Sequence, residues 1–148
     1  AQEEGRRAGT EGMPQSAAFG EACRIAKAGL HENMAHMAAL KAETRERLLA
    51  AIPEVQVIDS DAPHILSIAL PGYRSEVLMN ALEAKEIYVS RSSACKKGAR
   101  SHVLEAIGME PRLIDGALRI GFCRYNTRED VDALCAALTE AHRSLAHR

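Results

Sequence analysis

The sequence predicts an α/β two-layer sandwich, with helices packed on one mainly antiparallel sheet. Three observations carry this prediction. Apolar residues step by three or four from Phe19 to Leu40, the period of a helix face. Two β-rich runs, "VQVIDS" at 55–60 and "HILSIALP" at 64–71, follow Pro53. Beyond them helical and extended patterns alternate, giving the order helix, strands, helix, strand, helix, strand, helix.

Residues 1–12 are polar, Gly-rich and aperiodic, and read as an N-terminal arm. Pro14 suits a first helical turn. The stripe Phe19, Cys23, Ala26, Leu30, Met34, Met37 and Leu40 then marks a face to be buried. It revives at Leu48, Leu49 and Ile52 and stops at Pro53, with Gly29 as a kink or break in so long a stretch. On that face Met34 and Met37 are core filler, and His31 and His36 fall on the solvated side. The run "HILSIALP" is apolar enough for an inner strand, and "SEVLMNALEAKE" (75–86) has helical spacing. "IYVSRSSA" (87–94) begins as a strand and runs into a Ser-rich loop. "SHVLEAIGM" (101–109) is a short helix capped by Ser101, and "GALRIGFC" (116–123) is a further strand. The C-terminal helix opens with Thr127 and Asp130 spaced as a capping box.

With 148 residues, 47% hydrophobic and 26% charged, the chain suits one domain with a substantial core. Its net charge of −1 provides no global field for nucleic acid or an anionic membrane surface. No segment is a long uncharged apolar run of the kind that spans a bilayer. The opening "AQEEGRRAGTEG" has neither an initiator Met nor a signal-like apolar stretch. It reads as a chain cut from something longer. Cys23, Cys95, Cys123 and Cys135 form no CxxC pair and have no close His spacing, so no metal site is expected. Free thiols in a reducing cytoplasm are the expectation, with Cys23 and Cys135 buried and inert in helical stripes.

Four features bear on chemistry. Cys95 stands in "SRSSACKKGARSHV" with Arg91, Lys96, Lys97 and Arg100 close by in sequence. Neighbouring cations favour a thiolate, the nucleophilic form; the other reading is a surface loop whose cations are merely solvated. Arg119 interrupts the apolar strand "ALRIGF", where a guanidinium needs either a carboxylate ligand gripped by its fork or a structural salt bridge. "GRRAGT" (5–10) supplies backbone N–H groups, the Thr10 hydroxyl and two cations, the materials of a phosphate site without the spacing of a P-loop. His102, at a helix start, is an acid/base group or a solvated residue of the cap.

Taken together, "EEGRRAGTEGMP", "SRSSACKKGARSHVLEAIG" and "ALRIGFCRYNTREDVD" resemble, in order and separation, the C-terminal part of the cysteine desulfurases. These are pyridoxal 5′-phosphate (PLP) enzymes of the class V aminotransferase group, here of the NifS/IscS-like branch. The resemblance covers nearly the whole chain. It implies a small C-terminal domain of the PLP-dependent transferase fold type I over 13–148, carrying the catalytic Cys loop, with 1–12 as the remnant of a boundary to a larger domain. It further implies that sulfur passes from L-cysteine to a persulfide on Cys95, releasing L-alanine. Arg119 would bind the substrate carboxylate, and Thr10 would reach the PLP phosphate of the opposite subunit in a homodimer. The persulfide would go to an acceptor protein of iron–sulfur cluster assembly or tRNA thiolation, with no direct nucleic-acid contact and no membrane.

The sequence departs from the family pattern at Ser92, where Gly is usual, and at Gly12, where Asn is usual. It departs also at Glu4, Gly121 and Cys123, none of which is assigned to chemistry. None of Lys27, Lys41, Lys85, Lys96 and Lys97 matches the family's PLP-bearing lysine, so the chain alone is expected to be inactive. Two other readings stay open. One is a non-catalytic module that accepts sulfur or docks a partner; the other is a related class V enzyme such as a selenocysteine lyase.

Overall fold

The computed structural model describes residues 2–6, 8–58, 60–91 and 100–145. They divide into two compact units, Ala1–Glu32 and Asn33–Arg148, which are taken separately.

The first unit holds a 3-10 turn, Gln2–Gly5, and the beginning of helix α1 (Met13–Ala51). Here the predicted stripe is not buried within the unit: Phe19 is 72% exposed, and Ile25, Leu30 and Cys23 also face solvent. Periodicity states that a helix has an apolar face, not what that face meets. Cys23, expected to be buried, is therefore an exposed thiol. Gly29 does not break α1, which is assigned without interruption. A single helical Gly costs only about 1 kcal/mol relative to Ala, which the surrounding Ala, Leu, Lys and Glu residues offset.

The second unit is the sandwich. It contains β1 (Gln56–Ile58), β2 (Ile65–Ala69), α2 (Ser75–Glu83), β3 (Ser90–Arg91), α3 (His102–Ala106), α4 (Pro111–Asp115), β4 (Ala117–Gly121) and α5 (Arg128–Ser144). The strands form one sheet in the order β1-β2-β4-β3, and every pairing is antiparallel. Period-2 alternation sends Leu66, Ile68, Leu118 and Ile120 to one face. There they join Leu40, Leu48 and Ile52 of α1, Leu78 and Leu82 of α2, and Val131, Leu134 and Leu138 of α5. Met37 is half-buried against this core while Met34 is exposed, so only one of the two methionines is core filler. Thr44 is fully buried among these apolar groups, and its hydroxyl donates to Leu40 O at 2.7 Å.

The opposite face has a smaller cover. Ala69 and Ala117 pack under Leu104 of α3 and Ile114 of α4. Gly116 makes this junction possible: a Cβ there would lie 2.1 Å from the Leu70 carbonyl oxygen. Helix α4 is not visible in the sequence, because five residues are too few to show a period. The run at 87–94 pairs only at Ser90 and Arg91 among the described residues. Ile87 and Val89 still alternate inward against the core, while Tyr88 is 78% exposed.

Helix ends follow local chemistry. Ser101, itself buried, caps α3 by accepting from Leu104 N–H, and Thr127 N–H donates to Asp130 Oδ2 at 3.0 Å in the capping box of α5. At the far end of α5 the Tyr73 hydroxyl donates to His142 O at 2.9 Å and lies 3.1 Å from its Nδ1. No described helix is long and apolar enough to cross a membrane.

Candidate functional site

Strand β4 carries two chemistries on two faces. Leu118 and Ile120 are core residues, whereas Arg119 between them is exposed on the opposite face. The α3–α4 cover protects Ala117, at the start of the strand, but does not enclose Arg119. The register places Arg119 directly opposite Ser67 of β2 on one side and Ser90 of β3 on the other. Directly opposed residues share a face, with Cβ atoms about 5 Å apart. The guanidinium is thus flanked by two hydroxyl-bearing residues. Among the described residues it makes no ion pair and no side-chain hydrogen bond. Among the described residues the structural salt bridge considered from the sequence is not formed, and a five-donor planar cation faces outward, suited to a small carboxylate.

Cys95 lies outside the described residues, but both flanks of its segment are placed. On the entering side, Arg91 is opposite Leu118, one position from the Arg119 pair, and its guanidinium donates to Glu76 of α2. On the returning side, Arg100 grips Asp115 with both arms of its fork, Nε to Oδ1 at 2.7 Å and Nη2 to Oδ2 at 2.9 Å. This contact holds the Asp115 carboxyl below its ordinary range and raises Arg100. Two of the four cations that the sequence suggests for the thiol are therefore already neutralised by carboxylates. No local spacing reveals this, since both pairs join residues 15 positions apart.

The other candidates separate. Thr10 is exposed in the N-terminal unit, after Gly9, whose φ of +127° is a conformation natural only to glycine. His102 is the exposed first residue of α3 and takes no part in the cap, which is Ser101. His31 and His36 are exposed, and His36 Nε2–H donates to the Asn126 carbonyl at 2.8 Å. Cys123 is exposed just beyond β4, and its N–H donates to Asn126 Oδ1. Cys135 is buried as expected, and burial pushes its thiol up, outweighing the nearby Arg47. Among the described residues no three His, Cys, Asp or Glu side chains converge as a metal cluster would require.

Residues 1–134 match the family profile of aminotransferase class-V. A NifS/IcsS protein homologue of Lactobacillus delbrueckii subsp. bulgaricus is 35% identical over 147 residues, covering 95% of this chain and 38% of the relative. The cysteine desulfurase IscS of Methanosarcina thermophila is 34% identical, covering 95% of this chain and 36% of the relative. A solved NifS-like protein superposes with a TM-score of 0.83 at 33% identity, over 97% of this chain and 37% of that one. The fold is also that of the apo cysteine desulfurase of Thermococcus onnurineus, with a TM-score of 0.72. The chain spans a little over a third of the length of these relatives. It belongs to the class V aminotransferases, a PLP-dependent family in which its relatives are cysteine desulfurases and NifS-like proteins.

Proposed function

We propose that this chain is the C-terminal part of a PLP-dependent cysteine desulfurase, with residues 13–148 as its small domain and 1–12 as the arm leading from a larger one. The observation that carries this reading is Arg119: a guanidinium with no carboxylate partner among the described residues, on an otherwise apolar strand, beside the point where the Cys95 segment leaves the sheet.

The donors present fit the edge of a PLP site. The Thr10 hydroxyl is exposed and can donate to a phosphate oxygen, in the homodimer that of the partner's cofactor. Arg119 is the match for a substrate carboxylate. This reading assigns the cofactor's covalent anchor to none of the described lysines. The Lys41 amine is held by the carbonyls of Ser60 and Ala62, Lys85 pairs with Glu140, and Lys27 sits on the exposed first half of α1. When bound, PLP supplies the electron sink that lets a carbon–sulfur bond of L-cysteine break.

This chain's residues do the rest. Arg119 holds the L-cysteine carboxylate through a bidentate pair, which fixes the position of the substrate sulfur. Cys95, as a thiolate, attacks that sulfur: a sulfur–sulfur bond forms, the carbon–sulfur bond breaks, and its electron pair stays with the carbon. A proton then completes L-alanine. The persulfide left on Cys95 passes to a thiol of an acceptor protein, in iron–sulfur cluster assembly or tRNA thiolation, within the cytoplasm.

The test is the longer enzyme supplied with L-cysteine. With a dithiol added to reduce the persulfide, sulfide and alanine are expected in equal amounts, and Cys95→Ala abolishes turnover; full activity in that variant overturns the assignment. Arg119→Gln raises KM. Hydrogen bonds to a charged group contribute about 3 kcal/mol, or roughly a hundredfold in kcat/KM. The 148-residue chain given PLP and L-cysteine yields no sulfide. Sulfur uptake on Cys95 without any turnover by the longer protein would make it a docking module. A rate ratio favouring L-selenocysteine would make it a selenocysteine lyase.

A further inference from the structure

We propose that the cleft between residues 85–89 and the end of β4 binds an extended peptide, one that carries an aliphatic side chain next to cationic residues. The site shares no residue with those assigned above to L-cysteine or PLP, and it does not rest on the desulfurase reading.

The cleft begins where the sheet runs out. Phe122 N–H donates to His64 O at 2.9 Å and Leu70 N–H to Gly116 O at 3.2 Å, which prolongs the β2–β4 ladder at both ends. In an antiparallel ladder both backbone groups of a residue point to the same neighbour, and the side alternates along the strand. Even-numbered residues of β4 therefore serve β2, and odd-numbered ones serve β3. Arg119 meets Ser90 there. Gly121 is the next odd residue, and Tyr88 would oppose it if the ladder continued. Among the described residues no backbone hydrogen bond joins the two. The N–H and C=O of Gly121 thus point out from the sheet edge, where an added extended chain can pair with them.

There is room at that edge. The cavity is about 350 Å³, lined by the core residues Ile120, Phe122, Val131 and Leu134 and by Ile87 and Val89. An apolar recess of this size suits an aliphatic anchor. Tyrosine is favoured at interfaces because its ring is apolar while its hydroxyl can stay wet. The chain has three tyrosines, and two of them are exposed here. Tyr88 lines the cleft, and Tyr125 adjoins Asn126, which lines it too.

The charge of the rim selects the peptide. Lys85 is neutralised by Glu140. Asp130 accepts from Asn126 Nδ2 and Thr127 N–H, neither of which carries charge. The Glu86 side chain makes no ion pair and no hydrogen bond among the described residues. Its backbone holds φ at +60° just past α2, where glycine would be less strained, yet a carboxylate stands there. Two negative charges therefore remain on the rim, and no uncancelled cation lines it. Such a rim favours a lysine or arginine beside the aliphatic anchor.

The test is a titration of the isotope-labelled 148-residue chain with capped tetrapeptides, followed through its amide resonances. Acetyl-Lys-Leu-Val-Lys-amide shifts the Gly121, Tyr88 and Leu134 amides saturably. Acetyl-Glu-Leu-Val-Glu-amide binds more weakly, and acetyl-Lys-Ser-Ser-Lys-amide does not bind. Ala133→Phe fills the cleft from the exposed side of α5 and abolishes the shifts. Gly121→Pro removes the outward N–H and no bond of the β2 ladder, and weakens binding about fivefold, the loss of one hydrogen bond. Gly121→Ala, whose Cβ would meet nothing within 4 Å, binds as the wild type does. Glu86→Gln weakens binding about threefold, the effect of one unit charge about 6 Å away in a watery medium. Unshifted amides in β1 and α4 report that each variant is folded. The absence of saturable shifts at millimolar basic peptide, or equal binding to the folded Ala133→Phe chain, overturns the inference. Shifts of the same amides on concentrating the chain without peptide would make the occupant a second copy, and overturn it too. No turnover is measured, so neither result touches the desulfurase reading, and a failed desulfurase assay leaves this site standing.

Discussion

The two faces of β4 differ in what surrounds identical backbone. On one, Leu118 is fully buried between three helices; on the other, one residue along, Arg119 stands open between two serines. The difference shows how a sheet built for stability can carry a charged group at little cost to the core. The period of two sends alternate residues to separate environments, so core and charged group never compete for space.

The comparison breaks most easily at Leu118. Leu118→Ala leaves a cavity at a fully buried position and is expected to cost about 3 kcal/mol, read as a lower urea midpoint. Arg119→Gln, its neighbour on the open face, changes stability by less than about 0.5 kcal/mol. Equal destabilisation by the two changes would show that the faces are not independent. Gly116→Ala comes next. Its Cβ would meet the Leu70 carbonyl, so the β2–β4 junction must part at a cost of about 2 kcal/mol. Wild-type stability in that variant would show that the α3–α4 cover is not tightly seated.

The same contrast explains what is legible in the sequence. Elements whose cause is local are readable: the capping box at Thr127 and Asp130, the Ser101 cap, the apolar strand of Leu66 and Ile68, and the buried thiol of Cys135. Arg119 stands out because a charge in an apolar run violates the local pattern. What the sequence hides has a tertiary cause. The apolar stripe of α1 from Phe19 to Leu30 reads like a core face, yet nothing within its own unit covers it. The partners of Arg91 and Arg100 arise from strand order and helix placement, and so do the serines beside Arg119. Charge proximity in sequence suggests four cations around Cys95; the fold commits two of them to Glu76 and Asp115.

A smaller effect tests how the core face is closed. Tyr73 anchors the end of α5 through its hydroxyl, and burial pushes that phenol up from its ordinary value. Tyr73→Phe keeps the ring and loses the bond, leaving the His142 carbonyl without that donor. A loss of about 1 kcal/mol in chemical unfolding is expected. No loss would mean that water replaces the hydroxyl and that ring packing alone holds the helix.

The least costly contact to lose is on the open side, at Arg100 and Asp115. The bond from Arg100 is the largest influence holding Asp115 below its ordinary value of 3.8. The sign follows from proton binding. Between the lowered folded value and 3.8 the unfolded chain binds more protons than the folded one, so stability falls as pH falls through that window. Above 3.8 the contribution is fully present. Both side chains are more than a third exposed, so solvent screening limits the effect to under about 1 kcal/mol. Arg100→Gln with Asp115→Asn should therefore fall slightly below the wild type at pH ~7, with a gap that narrows towards pH ~3, measured as urea unfolding free energies. A gap of equal size at both pH values would assign the contact to packing instead of charge.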